Sequence, residues 1–106
     1  MPRYMLHGTY TASGAAGLMK EGGTSRRAAV DAVAKSVGGT IESMDWAFGA
    51  EDFYIIANVP DAETAAALSL TVGATGAVRV TTSELLSAAQ VDEVVRRRVD
   101  YRPPGA

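Results

Sequence analysis

The sequence predicts an α+β domain: a four-stranded antiparallel sheet with helices on one face and a further helix at its C-terminal end. Short runs rich in aromatic and β-branched residues alternate in polarity with a period of two, the mark of half-buried strands. Helical stripes with their own start and stop residues lie between the first and second runs and between the third and fourth. A tight, glycine-led turn joins the second run to the third. The 106 residues fit one domain, 1–106, and leave no room for a second core.

The first strand is predicted over residues 3–11, RYMLHGTYT. Residues 12–23 hold Gly14, Gly17, Gly22 and Gly23, too many for a stable helix beyond a turn at 18–21. Thr24 or Ser25 then caps a helix running to Val37, with Val30, Val33, Ala34 and Val37 on one stripe, and Gly38-Gly39 ends it. The second strand covers 40–48, the turn Gly49-Ala50-Glu51-Asp52, and the third strand 53–59. Pro60 closes that strand and Asp61 caps a second helix over 62–73. Gly73 and Gly76 precede a fourth strand at 77–82. Ser87-Ala88-Ala89-Gln90 is a capping box, and it opens a last helix that carries acids near its start and Arg96, Arg97 and Arg98 near its end. The order β-α-β-β-α-β-α is two βαβ halves joined by a hairpin, the ferredoxin-like split arrangement with one extra helix.

Alternation sorts the strand residues into two faces. Tyr4, Leu6, Gly8, Ile41, Ala47, Phe53, Ile55, Ala57, Val59, Val78 and Val80 suit a core under helices, although Ser43 and Asp45 fall among them. The other face takes Met5, His7, Thr9, Glu42, Met44, Trp46, Phe48, Tyr54, Ile56, Asn58, Arg79 and Thr81. That second face is too apolar for water, and a second copy packed sheet to sheet around a twofold axis would cover it. A homodimer is therefore expected, with an apolar cavity and a few converging polar groups between the sheets, the make-up of a small-molecule site. The sorting holds only while no strand carries a bulge, because a bulge exchanges the faces beyond it.

Composition narrows the chemistry. With no cysteine there is no disulfide, thiolate nucleophile or cysteine-held metal. The formal net charge of -2 argues against a nucleic-acid partner, which needs clustered cations, and the aromatic-basic pattern of RNA-binding sheets is missing. No apolar run reaches the roughly 20 residues of a membrane span, and no secretory leader pattern is visible. The expected location is cytoplasmic, without membrane association.

His7 is the single histidine. An imidazole suits proton transfer near neutral pH, and Glu42 or Asp45 would orient it; the plainer role is a hydrogen-bonded histidine at an interface. One histidine excludes a multi-histidine metal site within a protomer, and no metal or cofactor is expected. Arg79 in the enclosed face needs an anion, either Glu42 or a ligand carboxylate. Trp46, Phe48 and Tyr54 either stack on a ligand or fill the interface, and Asn58 adds a polar group. Arg26 and Arg27 follow a glycine-rich loop at a helix start, where they bind an anion or pair with Glu21 and Asp31. Ser13, Ser69 and Ser83 have no activating partner in view, so a hydrolytic triad has no support. The Arg96–Arg98 run reads as a solvated helix end.

The chain resembles the GYD domain family. The matching stretches are H-G-T-Y-T-x-x-G (7–14), GLMKEGGTSRR (17–27), GGTIES (38–43), WAFGAED (46–52), AAALSLTVGATGAVRV (65–80) and YRPPG (101–105). The resemblance implies a dimeric α+β barrel of ferredoxin-like protomers and little biochemistry. Gly49-Ala50-Glu51-Asp52 departs from the family's Gly-x-Tyr-Asp, with Glu51 at the tyrosine position, so no role of that tyrosine carries over. The expected function is a homodimeric small-molecule-binding or structural module. The alternative is a cofactor-independent enzyme of small anionic or aromatic molecules, with His7 as acid or base, Arg79 as anion clamp, and Glu42, Trp46, Tyr54 and Asn58 around the ligand.

Overall fold

A computed structural model describes all of residues 1–106. The elements run β1 (Arg3–Tyr10), α1 (Ala12–Glu21), α2 (Gly23–Ser36), β2 (Thr40–Trp46), β3 (Phe53–Asn58), α3 (Ala62–Ala74), β4 (Val78–Leu85) and α4 (Ala88–Arg96). The strands form one antiparallel sheet in the order β2-β3-β1-β4. That order places β1 and β3 side by side at the centre, as two interleaved βαβ halves require, and the ferredoxin-like expectation holds.

One face of the sheet carries the core. Tyr4 and Leu6 of β1, Met44 of β2, and Phe53, Ile55 and Ala57 of β3 are buried there under Ala65 of α3. Val30 of α2 and Leu68 of α3 pack onto the same cluster. Two glycines, one on β1 and one on α1, allow close approach to the backbone at and just before β4. A Cβ on Gly8 would sit 1.8 Å from the carbonyl oxygen of Arg79, and one on Gly14 would sit 1.9 Å from that of Ala77. Neither approach tolerates any side chain.

Side-chain caps start α1, α3 and α4, whereas α2 starts at Gly22 without one and not at Thr24 or Ser25. The Asp61 carboxylate accepts hydrogen bonds from the Thr64 N–H at 2.8 Å and its hydroxyl at 2.6 Å, which hold that carboxyl below its usual range. At α4 the Ser87 N–H donates to Gln90 Oε1 at 2.8 Å, and the Gln90 N–H donates to Ser87 Oγ at 3.2 Å, the reciprocal box that the sequence predicts. The helix is shorter than expected: Arg97 is already extended, so of the three arginines Arg96 alone lies within it. Val94 and Val95 stay exposed, and α4 makes no extensive contact with the rest of the protein.

Two expectations are corrected. The glycine-rich segment 12–23 is not a loop; it forms α1 and the start of α2. Thr11 caps α1, its hydroxyl accepting from the Gly14 N–H and donating to the Gly76 carbonyl at 2.7 Å. The helical break falls at Gly22 alone, where φ is +83°. Tertiary contact with the start of β4 thus overrides a poor helix propensity.

The second correction concerns β2. Ile41 faces Ala57, but the next pair is Ser43 with Ile56, so Glu42 is an extra residue with no partner of its own. Beyond this bulge Met44 faces Ile55 and Trp46 faces Phe53, on the helix side. Met44 and Trp46 therefore leave the open face, and Ser43 and Asp45, the two misfits of the alternation, take their place. Phe48 leaves it too. It lies beyond the strand in the turn, 66% exposed and with a φ of +48°.

Candidate functional site

The face away from α1–α3 is the open one. Register and alternation put Arg3, Met5, His7 and Thr9 of β1 on it, with Tyr54, Ile56 and Asn58 of β3 beside them. Arg79 and Thr81 of the edge strand lie opposite Thr9 and His7.

Its centre is a three-residue group. His7 Nδ1 lies 2.6 Å from Glu51 Oε1, and the Tyr54 ring stacks beside the imidazole at 6.2 Å between centroids, 13° from parallel. With the proton on Nδ1, the imidazole donates to the carboxylate and leaves Nε2 free to accept. The His7 and Glu51 side chains keep 21% and 29% exposure, so the pair is sheltered yet reachable.

The turn brings Glu51 there. The Asp52 N–H donates to the Gly8 carbonyl at 2.8 Å, and Asp52 Oδ2 accepts from the Tyr10 N–H at 2.8 Å. The Ala47 N–H closes the loop on the Asp52 carbonyl at 3.1 Å. Asp52 thereby ties the turn to the end of β1, and the residue before it reaches the histidine.

His7 and Tyr54 are brought together as the sequence suggests, but the carboxylate that holds His7 is neither Glu42 nor Asp45. Glu42 is taken by Arg3, whose guanidinium donates twice, at 2.7 and 3.3 Å. That hydrogen bond, with help from Asn58, holds the Glu42 carboxyl below its ordinary range and raises Arg3 in turn. Glu42, Asn58 and Arg3 thus form a latch at one end of the face.

Arg79 is exposed near the other end, opposite Thr9, and makes no ion pair. The expected Arg79–Glu42 pair does not form, because six residues of β1, about 20 Å, separate their positions along the sheet. Trp46 is absent from this face. Its Nε1–H donates to the Tyr10 hydroxyl at 2.9 Å on the core side.

Glu51 is the residue that sequence reasoning missed as a functional partner. Its signal was the acid standing at the tyrosine position of the turn motif. The glycine-loop arginines pair as the plainer reading expects, Arg27 with Asp31 at 3.1 Å and Arg26 with Glu21 at 3.8 Å. No group of three or more metal-ligating side chains converges anywhere in the chain, and no helix is long and apolar enough to cross a membrane.

A model of the GYD domain matches residues 4–95 of the chain. The chain belongs to the GYD domain family. No curated protein and no solved structure matches it. Within this GYD domain, Gly49 and Asp52 keep the motif positions, and the hydrogen bonds of Asp52 give a structural reason for an aspartate there. Glu51 in the tyrosine position gives His7 a carboxylate partner that a tyrosine would not supply.

Proposed function

We propose that this GYD-domain protein is a homodimeric small-molecule-binding module whose site forms where the open faces of two copies meet. The observation that carries this reading is the His7–Glu51 pair, flanked by Tyr54, on a sheet face that none of α1–α3 covers. Met5, Tyr54 and Ile56 supply apolar surface around it, and burying such a strip against a second copy is favourable at about 25 cal/mol per Å2. The aromatic ring and the unpaired Arg79 suit a small anionic or aromatic molecule. With Trp46 on the core side, the tyrosine is the aromatic wall of the pocket.

Native mass spectrometry of the undenatured protein tests this. Twice the protomer mass, with a co-purifying small molecule, is the expected result. A lone protomer at micromolar concentration would refute it.

The 2.6 Å contact also favours a second reading, a cofactor-independent enzyme in which Glu51 orients His7 as acid or base. An active enzyme of that kind loses most of its turnover in His7→Gln, and its pH–rate profile loses the limb that the imidazole sets. Full turnover of an identified substrate by that variant would exclude the mechanism.

A further inference from the structure

The helix side of the sheet is incompletely closed. α2 and α3 make no substantial contact with each other, and between them the sheet forms the floor of a cleft of about 480 Å3. A packed core leaves few voids larger than a water molecule, whose share of liquid volume is about 30 Å3. This opening is instead the size of sites that hold small organic ligands, roughly 300–1,000 Å3. Phe53, Ile55 and Val80 form part of its floor, and Val30 and Val72 part of its sides.

Polar groups are few in this lining, and one is a cation. Arg26 of α2 borders the cleft together with Glu21. Their closest approach is 3.8 Å, whereas the other arginine–carboxylate pairs of this protein close to between 2.6 and 3.1 Å. No hydrogen bond joins the Arg26 guanidinium to Glu21 at that distance. An apolar trough with an unsaturated guanidinium at its border has the chemistry to take an amphiphilic anion: the hydrocarbon or ring displaces water from the floor, and the planar donors take an oxyanion in bidentate fashion.

We propose that this cleft is a binding site, distinct from the open sheet face, for a small apolar molecule carrying one carboxylate, with Arg26 as its anchor. The body of the ligand lies against Phe53 and Ile55, and its carboxylate replaces Glu21 as the partner of Arg26. The site is complete within one protomer and does not depend on dimer formation.

Decanoate and the neutral 1-decanol, titrated calorimetrically into the full-length protein, test the proposal. Saturable binding of decanoate, one per chain, is expected. Arg26→Gln should weaken decanoate about tenfold or more and leave decanol nearly unchanged, since it removes a charge-assisted contact and no apolar wall. Val72→Trp, which fills the cleft from α3, should abolish binding of both, and circular dichroism of that variant checks that it folds. No saturable decanoate binding by the parent protein overturns the proposal. So does binding that survives in a folded Val72→Trp protein, because the ligand then sits elsewhere. An equal loss of both ligands in Arg26→Gln overturns the anchoring role.

Discussion

β2 and β3 are two arms of one hairpin, yet they obey the alternation rule differently. Along β3 the rule holds throughout: Phe53, Ile55 and Ala57 are buried and Tyr54, Ile56 and Asn58 face away. Along β2 it holds as far as Ile41 and then inverts at Glu42. One extra residue moves Met44 and Trp46 from the open face into the core and brings Ser43 and Asp45 out. The lesson is that a period-two pattern gives relative orientation only within an unbroken ladder. The misfit pair Ser43 and Asp45 was the visible trace of the break.

The sharpest test compares neighbours on each strand. Ile55→Ala and Met44→Ala should each cost about 2–5 kcal/mol by urea denaturation, as buried large-to-small changes do. Ser43→Ala should fall within about 0.5 kcal/mol. A reversed order for Met44 and Ser43 would mean that β2 has no bulge. If two copies pack as proposed, Ile56→Ala should be mild in dilute protein and grow with protein concentration, because the second copy would then cover its side chain. An effect independent of concentration would count against the dimer.

Smaller effects refine the same contrast. Trp46→Phe keeps the ring in the core but removes its hydrogen bond to Tyr10, an expected loss of about 1 kcal/mol. Phe48→Asn relieves a bulky side chain held in the left-handed region and should stabilise by up to about 1 kcal/mol, seen as a higher urea midpoint.

The Arg3–Glu42 latch at the bulge is exposed, so its effect is the smallest and is read through pH. Glu42 titrates lower in the folded protein than its unfolded value of about 4.3. Its stabilisation is therefore present above that value and lost as the pH falls through the lowered folded one. Arg3→Gln should reduce stability at pH 6 and flatten this acid limb. An unchanged limb would mean that the latch contributes nothing.

Much of the architecture was legible in the chain. Asp61 and the Ser87–Gln90 box declare their helices, Gly38-Gly39 ends one, and the faces of β1 and β3 follow from their own alternation. The family stretches, from HGTYT onward, carry the rest of the topology. The site was legible only in part. His7, Tyr54 and Asn58 share a face as expected, whereas the histidine's partner was not found among the strand residues, because Glu51 arrives through a turn that Asp52 ties down.

The sequence by itself determined the run of strands along the chain, the helices after Gly22, the caps at Asp61 and Ser87, and the burial of the two central strands, since each of these depends on residues a few positions apart. Tertiary structure decided the rest. It made a helix of the glycine-rich segment after Thr11, inserted Glu42 as a bulge held by Arg3, and left a cleft between α2 and α3. These outcomes depend on which atoms meet across the sheet and how closely backbones approach, and a local pattern along one chain carries no information about distances of that kind.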